Sequence, residues 1–143
     1  MNVLICVNAG KEKSPETIRA VCAELLKSGI TPLLESGAAL YAEGEGVVCG
    51  TVSELEKKAD FFLTIGGDGT ILRWGKKAAA LDKPLLGINT GRLGFMATLE
   101  KDEIDKLFRL KSGEFSISRR MLMDVEIRAN GKIRTELALN DVV

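Results

Sequence analysis

Five consecutive residues, Gly66–Thr70, combine three glycines with one carboxylate in the order GGDGT. The apolar run Phe61–Ile65 precedes them and apolar residues at helical spacing follow, which predicts a turn from a strand into a helix. The first N–H groups of a helix lack helical partners and attract phosphate. Asp68 would repel phosphate unless it holds Mg²⁺ or accepts a proton from a hydroxyl being phosphorylated. The stretch therefore indicates phosphoryl-transfer chemistry rather than an ordinary tight turn, which needs fewer glycines.

A second glycine-bearing loop, Asn89–Phe95, follows the predicted buried strand Pro84–Ile88. In open parallel sheets, ligands bind outside the carboxyl ends of the strands. Two such loops after neighbouring strands are expected to face one crevice. Neither loop has the GxGxxG dinucleotide fingerprint, and the chain has no GxxxxGK[ST] P-loop.

The elements that must position these loops alternate between strand and helix. Val3–Val7 is apolar throughout, as buried parallel strands are. Ser14 and Pro15 are typical of a helix start, Gly29 of a helix end, and Ile30–Glu35 of a second strand. This order predicts an α/β fold with a Rossmann-like parallel sheet over residues 1–100.

The stretch Ser36–Gly50 is harder to interpret. Ala38–Tyr41 is predicted to form a short helix, and Glu43–Gly46 a mobile polar loop that is either a passive connection or a substrate lid. Ser53–Lys58 is predicted to be a short helix capped by Ser53.

The pattern changes after residue 100. Lys101–Lys111 is predicted to be an amphipathic helix, with Ile104, Leu107 and Phe108 facing inward and Gly113 closing it. Beyond it, apolar and polar residues alternate on both sides of an Asn-Gly pair, which is a strong hairpin signal. Residues 101–143 are therefore predicted to be a connecting helix and the start of an all-β domain that is incomplete, with one face of the hairpin awaiting a covering sheet.

The composition excludes several classes of partner. The 20 basic and 20 acidic residues balance and aromatic residues make up 5%, so no nucleic-acid surface is predicted. No apolar run has the length of a membrane span and the N-terminus lacks a signal peptide. Three cysteines without CxxC spacing are typical of reduced cytoplasmic thiols. The absence of His excludes His-based triads and His metal sites, and no protein metal-ligand set is predicted.

With these residues laid out, the chain resembles the NAD kinases, which form a superfamily with lipid kinases of the diacylglycerol and sphingosine type and with 6-phosphofructokinases. The GGDGT stretch marks the superfamily. Leu86–Phe95 (LGINTGRLGF) is the more specific motif, and Asn140-Asp141 after an antiparallel strand is similar to the family's Asn-Glu/Asp pair. The resemblance implies a phosphofructokinase-like first domain.

The resemblance also implies an activity: transfer of a phosphoryl group from ATP or polyphosphate to the 2′-hydroxyl of the adenosine ribose of NAD, with Mg²⁺ or another divalent cation. It implies that NAD and ATP are the small-molecule substrates and that the protein is a homo-oligomer, a dimer or a tetramer. Asp68 would be the proton acceptor. The residues implied to bind substrate are Gly67, Gly69, Thr70, Arg73, Asn89, Gly94, Phe95, Asn140 and Asp141.

Other interpretations of these residues stay open at this point. Thr70 could cap the helix, Arg73 could be a solvated surface residue rather than a phosphate ligand in the first turn, and Phe95 could belong to the core. Asn140-Asp141 could be a turn. The chain as a whole could be a lipid or sugar kinase of the same superfamily, or a nucleotide-binding module without turnover.

Family members continue well beyond the equivalent of Val143. We therefore expect the 143-residue chain to be inactive, or nearly so, as a kinase by itself. Residues from about Ser118 onward are expected to be disordered or buried against a partner chain, because an isolated hairpin is marginal in water.

Overall fold

In the computed structural model of the chain, residues 1–7, 15–42, 45–91 and 94–139 are described. Six strands form one parallel sheet in the order β3-β2-β1-β4-β5-β6, and two further strands, β7 and β8, form a separate hairpin. The strands are β1 Asn2–Val7, β2 Thr31–Glu35, β3 Val48–Gly50, β4 Phe61–Ile65, β5 Leu85–Asn89, β6 Leu99–Glu100, β7 Leu122–Ala129 and β8 Lys132–Leu139. The α-helices are α1 Pro15–Lys27, α2 Val52–Lys58, α3 Asp68–Ala80 and α4 Arg109–Ser112, and 3₁₀ helices cover Ser36–Tyr41 and Lys101–Phe108.

Helices cover both faces of the parallel sheet. Val3 and Ile5 of β1 pack on one side with the buried face of α1 and with the 3₁₀ helix Lys101–Phe108. Leu4 and Cys6 point to the other side, where they meet residues of α2 and α3. Successive side chains of a strand alternate between faces, so a strand covered on both faces must be apolar throughout. The predicted α/β fold is confirmed.

Helix α1 covers Pro15–Lys27, and Ser14, its predicted N-cap, lies outside the described residues. Pro15 is its first residue, where a missing N–H costs nothing. Ile18, Val21 and Leu25 form the buried face, and Gly29 after the helix has a φ of +69°, which glycine adopts without the steric cost of a Cβ atom.

Two features near the sheet edge correct the prediction. Helix α2 is not capped by Ser53: it begins at Val52 with Thr51 as N-cap. The carboxylate of Glu54 accepts hydrogen bonds from the Thr51 N–H (3.0 Å) and hydroxyl (2.8 Å), the reciprocal half of a capping box. In addition, Val48–Gly50 is an edge strand paired with β2, and its three residues are too few to show a period.

The predicted inward position of Phe108 is wrong, since this side chain is 45% exposed. The segment is a 3₁₀ helix over Lys101–Phe108, and side chains three residues apart are aligned at three residues per turn. Ile104, Leu107 and Leu110 are accordingly the buried residues. The α-helical period used for the prediction would have turned Phe108 inward instead.

The predicted hairpin forms, but its two faces differ from the expectation. Asn130 and Gly131 both have positive φ, 50° and 70°, as a two-residue turn of type I′ requires. Val125 lies opposite Glu136, and Asp124 opposite Leu137. Directly opposed residues share a face, so the apolar positions of β7 and β8 lie mostly on opposite faces. Neither face is a single apolar surface of the kind that one covering sheet would bury.

Contact between the hairpin and the first domain is concentrated at the end of β8. Ala138 is buried, and Leu139 lies against α3, where a Cβ atom on Gly75 would be 3.0 Å from the Leu139 Cδ2 atom. In the described part of the chain, no helix has the length and apolar character needed to cross a membrane.

Candidate functional site

The turn between β4 and α3 depends on Gly66. Its φ of +153° is rare for residues with a side chain, and a Cβ atom there would lie 2.5 Å from the Thr70 hydroxyl oxygen. Its N–H donates a hydrogen bond to the carbonyl of Ile88 in β5 (3.0 Å). Gly66 therefore joins the glycine turn to the neighbouring strand.

Helix α3 begins without a side-chain cap. The N-cap residue is Gly67, so the interpretation of Thr70 as the cap is wrong; Thr70 is the third helical residue and is buried. A Cβ atom placed on Gly67 or on Gly69 would meet nothing within 4 Å. The backbone at the positive end of the helix therefore has open space beside it, which a ligand could occupy.

Asp68 joins the two predicted glycine loops. Its Oδ2 accepts a hydrogen bond from the N–H of Phe95 (3.0 Å) and its Oδ1 one from the N–H of Met96 (3.2 Å). The carboxylate is thereby held in one position at the carboxyl ends of β4 and β5.

Two further predicted site residues, Phe95 and Arg73, are accessible to solvent. Phe95 is fully exposed, at 100% of its reference area, so its interpretation as a core residue is wrong. Arg73 is exposed as well. It is the sixth residue of α3 and so lies in the second turn, not in the first as predicted.

Asn89, at the end of β5, uses its side chain within the protein. It is 2% exposed. Its Nδ2 lies 3.0 and 3.2 Å from the two carboxylate oxygens of Glu100, and its Oδ1 accepts a hydrogen bond from the Gly91 N–H (3.1 Å). Glu100 was not among the predicted site residues, because its place beside Asn89 follows from the register of β5 and β6 and no sequence motif marks it.

Gly87 is a second point at which a side chain would not fit. A Cβ atom there would lie 2.6 Å from the Ile71 Cδ1 atom and 3.3 Å from the Ala97 Cα atom. The Thr98 N–H donates to the Gly87 carbonyl (2.9 Å). The segment after Phe95 therefore returns across β5 and enters β6.

Two predicted site residues, Asn140 and Asp141, lie outside the described residues, as do Glu43 and Gly44 of the predicted mobile loop. Among the described residues there is no cluster of three or more Asp, Glu or Cys side chains that could hold a metal ion.

The structure is a parallel α/β domain in which the two glycine loops meet at the carboxyl ends of β4 and β5. The family model for the ATP-NAD kinase N-terminal domain matches residues 3–111. The chain therefore belongs to the NAD kinase family, and the predicted family is confirmed.

Curated relatives agree with this assignment. The chain is 36% identical over 139 residues to a protein of Nitrosomonas europaea named NAD kinase, covering 94% of this chain and 47% of that protein. It is 32% identical over 135 residues to the Coxiella burnetii NAD kinase, covering 94% of this chain and 45% of the relative. The chain thus spans about half the length of the curated relatives it matches.

A solved structure shows the same fold. The crystal structure of yeast NADH kinase complexed with NADH matches with a TM-score of 0.74 at 17% identity, covering 96% of this chain and 46% of the yeast chain. At this identity, the comparison supports the architecture of the domain and its connection to the hairpin, and nothing finer.

Proposed function

We propose that these residues are the N-terminal part of an NAD kinase, which transfers a phosphoryl group from ATP or polyphosphate to the 2′-hydroxyl of the adenosine ribose of NAD and gives NADP. One observation carries the proposal most directly. Asp68, at the start of α3, is held by the backbone of the second glycine loop, beside the fully exposed ring of Phe95. A fixed carboxylate beside an aromatic ring suits a substrate in which a sugar hydroxyl lies close to a nucleobase.

In this proposal Asp68 accepts the proton of the ribose hydroxyl. Each carboxylate oxygen has two lone-pair sites, so the hydrogen bonds from Phe95 and Met96 leave each oxygen able to accept another. Phosphoryl transfer passes through a loose transition state in which positioning and charge neutralisation dominate. A carboxylate that is held in place within hydrogen-bond reach is therefore sufficient, and a strong base is not required.

The other predicted residues take roles that fit their surroundings. The open space beside Gly67 and Gly69 would admit the substrate to the helix N-terminus, next to the buried Thr70. The exposed Phe95 ring would stack on the adenine, and the exposed Arg73 guanidinium would pair with a phosphate. Gly94 would let the loop approach Asp68. Binding of ribose hydroxyls by Asn140 and Asp141 rests on the family resemblance.

The phosphoryl donor implied by the family is ATP; polyphosphate and a divalent cation are proposals. Mg²⁺ is bound in such sites by one or two carboxylates together with substrate phosphates, and Asp68 supplies one carboxylate of this kind. When bound, the cation would neutralise developing charge on the phosphates. The cytoplasmic location is proposed from the cysteine spacing, and the homo-oligomeric state from the resemblance alone.

The test uses the protein encoded by the whole reading frame that contains these residues. It is incubated with NAD, Mg²⁺ and either ATP or polyphosphate, and NADP is measured with an NADP-specific dehydrogenase. Formation of NADP, with no phosphate transfer to diacylglycerol or fructose 6-phosphate, supports the proposal. Transfer to either of those acceptors instead would show a lipid or sugar kinase, and tight NAD binding without any transfer would show a nucleotide-binding module.

A further inference from the structure

Glu100 occupies a position that none of the predicted roles covers. It is the last residue of β6 and lies opposite Asn89, the last residue of β5, in the parallel pair. Only the residues 90–98 connect the two strands, which is shorter than the dozen or so residues usual for a parallel crossover. Such a connection needs local anchors, and the side chains of Asn89 and Glu100 provide one.

The Asn89 amide is engaged at both of its polar atoms. Its Nδ2 donates to the Glu100 carboxylate and its Oδ1 accepts from the Gly91 N–H. A primary amide has two donor hydrogens and one acceptor oxygen. The Glu100 carboxylate therefore also determines which way the amide faces, because a flipped amide would turn its N–H groups toward the Gly91 N–H and its oxygen toward the carboxylate.

Glu100 is itself held on the side away from the loop. Its N–H donates to the Glu103 Oε2 atom (3.0 Å), at the start of the 3₁₀ helix that buries Ile104 and Leu107. Hydrogen bonds to Lys106 and to the Glu100 N–H lower the pKa of the Glu103 carboxyl group. A firmly packed element therefore supports the carboxylate that orients Asn89.

The glycine-bearing loop is thus anchored at two places. At its start, the Gly91 N–H is bound to Asn89. At its end, the N–H groups of Phe95 and Met96 are bound to Asp68. Loss of the first anchor would loosen the loop that presents the Phe95 ring and that holds the Asp68 carboxylate.

We infer that Glu100 is a positioning residue, which acts through Asn89 on the Gly91 amide to hold the second glycine loop in its ligand-binding form. This inference rests on the proposed function, since the ligand concerned is NAD. It also gives Asn89 a role in orienting the loop, in place of direct contact with the substrate.

The test compares three variants with the parent, all made in the protein encoded by the whole reading frame. Glu100→Gln removes the negative charge and replaces one of the two acceptor oxygens by an amide nitrogen, which cannot accept from Asn89. Asp102→Asn is the matched control, since it removes one negative charge from an exposed side chain two positions away. The double variant Asn89→Asp, Glu100→Gln exchanges the carboxylate and the amide, so an Asp at 89 could accept from both Gly91 and the new glutamine.

Two measurements are made on each variant: amide hydrogen exchange in the absence of ligand, and the Kd for NAD by calorimetry. For Glu100→Gln we expect exchange at Gly91 and Phe95 to rise, exchange in β1 to stay unchanged, and NAD to bind about tenfold more weakly. The double variant should recover most of both properties, and Asp102→Asn should match the parent.

Unchanged loop exchange in Glu100→Gln would overturn the inference, as would an equal rise in β1, which would mean general destabilisation. Failure of the double variant to recover loop protection would also count against it. If the parent protein encoded by the whole reading frame binds no NAD, the proposed function fails at that step, and the exchange measurement still decides whether Glu100 positions the loop.

Discussion

Gly94 and Asp68 approach each other so closely that no side chain fits between them. A Cβ atom built on Gly94 would lie 2.3 Å from the Asp68 Oδ1 atom and 2.8 Å from its Cγ atom. The two residues lie at the ends of different loops, yet the same carboxylate binds the next two backbone N–H groups, those of Phe95 and Met96. The absence of a side chain at Gly94 therefore allows the loop Asn89–Phe95 to meet the GGDGT turn at Asp68.

The first prediction concerns Gly94→Ala. The new methyl group must displace either the Asp68 carboxylate or the loop, so at least one of the two hydrogen bonds at Asp68 should break, at a cost of about 1–3 kcal/mol. Denaturant unfolding and the Kd for NAD both measure the effect. Gly91→Ala is the matched control, because a Cβ atom at Gly91 would meet nothing within 4 Å; losses of equal size in the two variants would contradict the prediction.

The second prediction concerns Asp68→Asn. Both oxygens of Asp68 accept backbone N–H groups, so the asparagine must turn its amide nitrogen toward one of these donors. NAD affinity should therefore fall, by less than about tenfold for one neutral hydrogen bond. Turnover of the complete enzyme should fall by about a hundredfold or more, the usual size of a general acid–base contribution.

The ratio of the two losses is what decides the role of Asp68. Steady-state kinetics with NAD as the varied substrate, together with direct binding, separate the loss of turnover from the loss of affinity. If turnover stays within a few-fold of the parent while affinity falls, Asp68 holds the loop and does not act as the proton acceptor.

Local patterns were sufficient to predict the elements with a strong period or a clear boundary. The wholly apolar β1, the amphipathic α1 with Pro15 and Gly29 at its ends, and the Asn130-Gly131 hairpin are all of this kind. Their signals come from neighbours in the sequence, so no knowledge of the tertiary structure was needed to find them.

The features that sequence reasoning missed depend on contacts between distant residues or on the type of helix. Phe108 turned outward because its segment is a 3₁₀ helix. Glu100 lies beside Asn89 because of the register of β5 and β6. The composition of the two hairpin faces likewise follows from strand pairing, as in the pairing of Val125 with Glu136. The predicted cap at Ser53 is not the N-cap; Thr51 is, and its partner Glu54 lies three residues further on.

The third prediction concerns the cysteines. Cys49 is exposed, whereas Cys6 and Cys22 are buried. Burial raises the pKa of the Cys22 thiol from 9.0 to about 11, and burial likewise raises the pKa of the Cys6 thiol. An alkylating reagent near neutral pH should therefore label Cys49 alone in the folded chain and all three cysteines after unfolding, as counted by mass spectrometry.

The raised pKa of Cys22 makes the stability of the fold depend on pH in the alkaline range. Between about pH 9 and pH 11 the Cys22 thiol ionises in the unfolded chain and stays neutral in the folded one, so the free energy of unfolding should fall as the pH rises. Cys22→Ala should reduce this slope, and Cys49→Ala should reduce it less, because burial raises the Cys22 pKa more than the neighbouring Cys49 does. Equal slopes for the parent and Cys22→Ala would contradict the assigned burial of this thiol.

The last prediction concerns how the hairpin sits on α3. Gly75 lies in the interior of α3, where glycine costs about 1 kcal/mol relative to alanine. A Cβ atom there would lie 3.0 Å from Leu139 at the end of β8, so the gain in helix propensity from Gly75→Ala should be largely offset by displacement of the leucine.

A double-mutant cycle with Leu139→Ala tests this contact. With the leucine truncated, Gly75→Ala should stabilise the chain by about 0.5–1 kcal/mol, and the coupling between the two sites should exceed about 0.5 kcal/mol. Ile133→Ala is the control, because Ile133 is 63% exposed near the other end of the hairpin and should not couple to Gly75. If the effects at Gly75 and Leu139 are additive, β8 does not rest on α3 in solution. A methyl group on Gly75 would then meet no leucine, whether or not Leu139 is truncated.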